Sequence, residues 1–243
     1  MAILPHNLEL VKQMLPHVAA RPVEMLCLGY PDIIVPAKDI RTIFGDTIAD
    51  AVTYRDDSEQ VLKWHSMDSS FGKIPETFHF FSLLDVRVTI VDIVSSRGGE
   101  LIVDLNQPVA PEFHNKFDIV LDAGTLEHCF NIGQGMMNVL QMAKVGGFIH
   151  HDNPFFMPNH GFFNLNPTFY NDFYIDNGHI IVASMNLVIE TPEGKKFVTA
   201  PATSRFTYAC QRANIAVVAR KLNANPVKWP MQTKYKANPT LKA

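Results

Sequence analysis

The stretch Phe117–Pro154, FDIVLDAGTLEHCFNIGQGMMNVLQMAKVGGFIHHDNP, decides the fold of this 243-residue chain. Its first six residues, Phe117–Asp122, form an apolar run of strand length, and apolar residues at helical spacing occupy positions 139–143. A second apolar run begins at Phe148. Strand, helix and strand in this order predict a βαβ unit with a right-handed crossover.

Both strands of this unit end in polar residues. Asp122-Ala123-Gly124 follows the first strand, and His150–Asn153 follows the second. Ligands bind outside the carboxyl ends of the strands in α/β sheets, so we expect a site here. Thr125 is expected to cap the intervening helix, whose first turn then holds Glu127 and His128. Gly146-Gly147 is expected to end that helix.

Three earlier strands deliver residues that suit a nucleotide-type cofactor. They are Val23–Leu28 before Gly29, Val86–Val91 before Asp92, and Glu100–Val103 before Asp104. A glycine permits close approach of the backbone to a ligand, or simply a structural turn. A carboxylate such as Asp92 can accept hydrogen bonds from both ribose hydroxyls, or can stabilise its own turn. Asp104 beside Leu105 suits an adenine ring and its amine.

Composition narrows the classes of partner. The net charge of -3 gives no basic surface for nucleic acid, and no apolar run approaches a membrane span. The three cysteines, Cys27, Cys129 and Cys210, lack metal-type spacing and are typical of reduced thiols in a cytoplasmic protein. No signal peptide is recognisable at the N-terminus, and the length favours one domain spanning residues 1–243.

The remaining segments are interpreted from local signals. Residues 33–80 look like an irregular insertion or lid, and residues 221–243 like a polar tail. Helices are expected over residues 7–20, capped by Asn7, and over Pro167–Ile175, capped by Asn166. Residues 155–178 are rich in aromatic, Asn, Pro and Gly residues and are expected to border an acceptor pocket; their rings could instead belong to the core or a dimer interface.

These features together resemble class I S-adenosylmethionine-dependent methyltransferases. The matching motifs are LCLGYPD at 26–32, TIVDI at 89–93, IVDLNQP at 102–108, FDIVLDAGTLEH at 117–128 and MAKVGGFIHHDNP at 142–154. The resemblance implies an α/β, Rossmann-like, doubly wound sheet of seven strands, mostly parallel with an antiparallel last strand. Residues 179–220 would supply the final antiparallel strands.

The resemblance also implies S-adenosylmethionine as cofactor and assigns residues to it. Those residues are Gly29, Asp122 and Ala123 for the methionine portion, Asp92 with Ile93 for the ribose, and Asp104 with Leu105 for the adenine. The first motif departs from the family pattern, because Cys27 replaces an acid and Gly29 is its only glycine. Either Asp32 or Glu24 compensates, or cofactor binding is weak or lost.

Acceptor chemistry is predicted from the histidines that follow the second strand of the opening stretch. A hydroxyl acceptor must lose a proton, and His160 is the preferred base, followed by His151, with Asp152 able to orient an imidazole. The aromatic segment is similar to that of small bacterial methyltransferases of polysaccharide or glycan biosynthesis. We therefore expect a small-molecule or glycan acceptor, and a homodimer is one assembly compatible with the aromatic segment. The His/Asp group could instead bind a divalent metal, although its spacing matches no metal motif.

Two other functions remain open from sequence. The chain could be a methyltransferase-like fold without transfer activity that serves as a binding or assembly protein. It could also use S-adenosylmethionine for another reaction, such as cleavage of the sulfonium.

Overall fold

A computed structural model of the chain divides into two units. The main sheet of the first unit consists of parallel strands. Unit 1 comprises Met1–Val103 and Phe117–Ala123, and unit 2 comprises Asp104–Lys116 and the chain from Gly124 onward. The structure describes residues 1–68, 71–182, 185–208, 210 and 212–238.

Four parallel strands make up the main sheet of unit 1. They are β2 (Val23–Leu28), β4 (Val86–Asp92), β5 (Leu101–Ile102) and β6 (Phe117–Asp122). Their spatial order is β6-β2-β4-β5, so the chain moves outward from β2 and then returns to its other side. This reversal between β2 and β6 is the topological switch point of a doubly wound, Rossmann-type α/β fold. The predicted fold class is confirmed.

The apolar runs of β2 and β6 explain their central places in this sheet. Every residue of β6 is buried, and only Glu24 of β2 is not. Near-continuous apolar runs of this kind are typical of parallel strands covered on both faces.

The segment predicted to be irregular, residues 33–80, is mainly helical. Its helices are α2 (Ala37–Phe44), α3 (Asp46–Ala51), α4 (Ser58–Trp64) and α5 (Thr77–Ser82). Each has fewer than two and a half turns, which is too short for a clear apolar period in the sequence.

The first residues of unit 1 form an element that the sequence did not reveal. Strand β1 (Ala2–Ile3) pairs in parallel with β3 (Asp32–Ile33), and helix α1 (Pro5–Met14) follows. The expected cap was wrong: Asn7 lies inside α1, where its Oδ1 accepts from the Leu4 N–H at 2.8 Å. Pro5 starts the helix because its missing N–H needs no partner there.

Antiparallel strands form the sheet of unit 2. They are β7 (Ala143–Phe156), β8 (Ile180–Ile181), β9 (Asn186–Thr191), β10 (Gly194–Thr199) and β11 (Ala213–Arg220). Their order is β10-β9-β11-β7, with β8 also paired to β11. The antiparallel last strand is confirmed, and the β9–β10 hairpin adds to the strands expected. Ala183 and Ser184, in the region expected to supply the final antiparallel strands, lie outside the described residues.

The helix of the opening stretch begins and ends differently from its prediction. After Thr125 the chain makes one 3-10 turn, Leu126–His128, and α6 (Ile132–Met142) starts later, where the Asn131 side chain accepts from Gln134 N–H. Gly146 lies within β7 with φ 88°, so it does not cap the helix.

Helix α7 (Pro167–Asp176) is confirmed, with the Asn166 side chain as its cap. The described part of the tail, which includes the short helix α8 (Thr233–Lys236), binds to α7: Asp172 accepts from the Thr233 N–H at 2.9 Å. Among the described residues, no helix is both long enough and apolar enough to cross a membrane.

Candidate functional site

The carboxyl edge of the unit 1 sheet brings together the cofactor residues predicted from its strands. Leu28 lies opposite Val91 and Cys27 opposite Leu121, so Gly29 and Asp92 follow at one level and Asp122 lies one residue earlier at the same edge. Gly29 has φ 88°, and its N–H donates to the Val91 carbonyl at 2.7 Å. This positive φ is the conformation that favours glycine at a tight turn.

The side chain of Met1 occupies this edge. The Ala123 N–H donates to Met1 Sδ at 3.2 Å, and the Asp32 N–H donates to the Met1 carbonyl at 3.1 Å. Burial lowers the pKa of the Met1 amino group, while the carboxylates of Asp32 and Asp92 oppose that shift. A methionine of the chain itself therefore lies where the sequence predicts the methionine portion of the cofactor.

The aspartates predicted to bind ribose and adenine accept hydrogen bonds from backbone N–H groups two residues further along the chain. Asp92 accepts a long hydrogen bond of 3.3 Å from the Val94 N–H, and the Ile93 side chain next to it is 61% exposed. Asp104 and Leu105 belong to unit 2, where Asp104 accepts from the Asn106 N–H at 2.9 Å and Leu105 is buried. The Asp92 carboxylate therefore keeps acceptor capacity for a ligand.

Asp32, one of the two acids considered as a replacement at the first motif, is a buried carboxylate held by cations. It accepts from His65 and from Arg97, both at 2.9 Å, and Arg55 lies 3.6 Å away. Burial opposes ionisation, but the hydrogen bonds from His65 and Arg97 outweigh it and hold the pKa of Asp32 below its usual value. The other acid, Glu24, pairs instead with Arg87 at 2.6 Å.

A second cluster, in unit 2, joins Glu127, His128 and His160. Glu127 Oε1 lies 3.4 Å from His160 Nε2 and 3.8 Å from His128 Nε2. The two imidazole rings are 5.2 Å apart between centroids. His160 is the histidine favoured from sequence as a base, and its ring is partly exposed while Glu127 is fully buried. The arrangement can hold a proton or a cation between an acid and two imidazoles.

The structure buries the two other residues predicted to be catalytic, in β7. His151 Nε2 lies 2.6 Å from the Tyr174 hydroxyl, and its ring packs against Tyr170. Asp152 lies within electrostatic range of Lys195 of β10. Neither side chain belongs to the cluster of Glu127.

Unit 2 also contains a cavity, whose lining includes His179 and Lys221. Lys221 is buried, and its Nζ donates to Asn115 at 2.7 Å and to the Ala143 carbonyl at 2.8 Å. Burial lowers the pKa of Lys221 to about 8 and that of His179 to about 4, and the positive charge of Lys221 adds to the second shift.

Sequence reasoning missed several residues of these sites, among them Met1, Arg97 and Glu127. Met1 directly precedes a two-residue strand, Ala2–Ile3, that has no recognisable period, and Arg97 lies in a Ser/Gly turn that offered no signal beyond its charge. Glu127 lies in the motif FDIVLDAGTLEH, where the sequence predicted only its place in the first turn of a helix. The motif does not indicate the contact of Glu127 with His160, which lies 33 residues further along the chain.

No protein-family model matches the sequence, and no curated protein sequence matches it. Solved structures of similar fold include the 1,6-didemethyltoxoflavin-N1-methyltransferase of Burkholderia thailandensis with bound S-adenosylhomocysteine, at 13% identity, 87% coverage of this chain, 76% of that chain and a TM-score of 0.47. A SAM-dependent methyltransferase from Archaeoglobus fulgidus follows at 13% identity, coverages of 88% and 94%, and a TM-score of 0.41. TehB from Haemophilus influenzae is similar at 12% identity, coverages of 76% and 66%, and a TM-score of 0.42.

Proposed function

We propose that the chain binds S-adenosylmethionine at the carboxyl edge of the unit 1 sheet and transfers its methyl group to a hydroxylated acceptor such as a sugar. The observation that carries this proposal is the set of groups at one switch point. A positive-φ glycine, Gly29, a strand-end carboxylate, Asp92, and the Ala123 N–H lie on that edge. Ligands of open α/β sheets bind at such switch points.

The contacts of Met1 support the placement of the cofactor's methionine portion. The Ala123 N–H already meets a thioether, and the Met1 amino group lies within electrostatic range of Asp32 and Asp92. Arg97 acts on the same amino group, and its buried Nε has no hydrogen-bond partner among the described residues. We assign this guanidinium to the carboxylate of the cofactor, because arginine pairs well with carboxylates. Met1 must leave the edge when the cofactor binds.

Exposed aromatic rings in unit 2 support a polyhydroxylated acceptor. Phe130 and Phe162 are 75% and 64% exposed and meet edge to face at 5.4 Å between centroids. Each lies two residues beyond a histidine of the cluster, His128 and His160. Exposed rings beside imidazoles suit a sugar, whose apolar faces pack on rings while its hydroxyls bind polar groups.

Methyl transfer from a sulfonium is an in-line displacement in which the protein mainly positions the reactants. The His160 imidazole, backed by the Glu127 carboxylate at 3.4 Å, is the group that would take the proton of the acceptor hydroxyl. A positioned base of this kind contributes on the order of a hundredfold or more to the rate.

A second candidate function is a methyltransferase-like protein that no longer transfers methyl groups. Two observations favour it: Cys27 replaces the usual acid and is fully buried, and Met1 fills the edge that the cofactor needs. The two candidates differ in whether S-adenosylmethionine can displace Met1.

Calorimetric titration with S-adenosylmethionine and S-adenosylhomocysteine tests the proposal. We expect micromolar binding, weakened at least tenfold in Asp92→Asn through the loss of charged hydrogen bonds to the ribose. Asp85→Asn is the matched control, because Asp85 precedes β4 at its other end. A folded protein that binds neither compound would overturn the proposal in favour of the second candidate. Product analysis with glycan acceptors then separates methyl transfer from cleavage of the sulfonium.

A further inference from the structure

Glu127 carries a buried oxygen that the rest of unit 2 leaves without a hydrogen bond. The side chain is fully buried, and its Oε2 accepts from Asn153 Nδ2 at 3.0 Å. Oε1 has no hydrogen-bond partner among the described residues. A buried carboxylate without a compensating charge is unfavourable by several kcal/mol, so a cation beside Oε1 would stabilise the folded protein.

Two imidazole nitrogens lie close to this same carboxylate oxygen. Ligand atoms of Glu127, His128 and His160 all lie within 4.8 Å of one another. The distances from Oε1 to the two Nε2 atoms, 3.4 and 3.8 Å, are near the roughly 3.4 Å that separates ligands around a tetrahedral zinc ion. Only small side-chain movements are needed to close the three ligands on one ion.

The backbone holds this geometry in place. A Cβ on Gly161 would lie 2.8 Å from the Glu127 carbonyl oxygen, so the segment after His160 packs against Glu127 only because residue 161 is glycine. The Phe162 N–H donates to the same carbonyl at 2.8 Å. Asn153, which holds Glu127 Oε2, accepts in turn from the Tyr170 hydroxyl at 2.6 Å. Supporting bonds of this kind orient metal ligands.

We propose that Glu127, His128 and His160 form a binding site for a divalent transition-metal ion, best suited to zinc, with at least one open coordination position. One carboxylate and two imidazoles are a zinc donor set found at catalytic sites, where a fourth position takes water or substrate. His128 and His160 are 50% and 39% exposed, so an ion and a further ligand can reach the site from solvent.

The proposed metal binding does not depend on methyl transfer, but a catalytic role for the bound ion rests on the proposed function. With an ion bound, His160 Nε2 is a ligand and cannot serve as the base. The ion would instead lower the pKa of an acceptor hydroxyl in the open position, as metal ions do for bound water.

Titration with Co²⁺, followed by displacement with Zn²⁺, tests the site without S-adenosylmethionine. We expect one ion per chain, a visible absorption band of four- or five-coordinate cobalt, and its loss on adding zinc. His160→Ala and His128→Ala should each weaken Zn²⁺ binding by roughly 100-fold, since each removes a ligand. Both histidines are partly exposed, so these variants should fold.

His114→Ala is the control, because His114 is an exposed histidine of unit 2 outside the cluster. It should bind both ions like the unaltered chain. Absence of binding, or equal affinity in all three variants, would overturn the proposal, whether or not the chain binds S-adenosylhomocysteine.

Discussion

Each unit has a buried carboxylate at its candidate site, Asp32 in unit 1 and Glu127 in unit 2, and these two acids are compensated differently. Asp32 of unit 1 has two arginines and a histidine within 3.6 Å. Glu127 of unit 2 has one amide donor, from Asn153, and two partly exposed imidazoles. The first acid is neutralised by permanent charges of the chain, whereas the second needs protons or an external cation. This difference separates an ion cluster that the chain itself neutralises from a site with room for a metal.

Replacing each acid by its amide should give the largest contrast. Asp32→Asn leaves Arg97 and Arg55 without their buried carboxylate and should lower the free energy of unfolding by about 3–5 kcal/mol. Glu127→Gln in metal-free protein should change it by no more than about 1 kcal/mol, because the amide can still accept from Asn153. Urea unfolding measures both.

Asp57→Asn is the matched control for Asp32, since Asp57 also pairs with Arg55 but is 46% exposed. It should cost less than about 1 kcal/mol, as surface ion pairs do. Equal losses in Asp32→Asn and Glu127→Gln would show that the imidazoles are charged partners of Glu127, and the comparison would fail.

A smaller effect on the free energy of unfolding should come from His179, whose pKa is shifted by burial and by Lys221 rather than by an acid. Burial, and then Lys221, hold the pKa of His179 at about 4, below its usual 6.5. The neutral form therefore stabilises the fold above pH 6.5, and this contribution is lost as pH falls from 6.5 toward 4. We expect His179→Gln to flatten the pH dependence of unfolding in that window by roughly 1–3 kcal/mol.

The same pH series on His114→Gln should retain the slope of the unaltered chain, because His114 is exposed. A His179→Gln protein whose unfolding free energy falls as steeply as that of the unaltered chain would contradict the assignment.

The sequence predicted β2 and β6 well because their apolar runs are continuous, but it was wrong about β7, which contains the His150–Asn153 residues expected to follow the strand. Val23–Leu28 and Phe117–Asp122 have the predicted bounds, and Asp92 ends its strand as expected. Register then follows from topology, which is why the strand-end residues of unit 1 meet at one edge.

The parts that sequence could not supply depend on contacts between distant residues. His160 contacts Glu127 although 33 positions separate them, and no local pattern in either segment predicts this contact. Met1 reaches Ala123 only because β1 pairs with β3, and two-residue strands carry no period. Helices α2 and α3 were missed because each is too short to show a clear apolar period.

Amide NMR of isotope-labelled protein during titration with S-adenosylhomocysteine tests the central claim most directly, namely that the edge filled by Met1 is the cofactor site. The Asp32 and Ile34 N–H groups donate to the Met1 and Ile3 carbonyls at 3.1 and 2.8 Å. Displacement of β1 should make these two amides exchange faster with solvent, and the Ala123 resonance should shift as it loses Met1 Sδ. Unchanged Ala123 and Ile34 signals at saturating ligand would contradict the account.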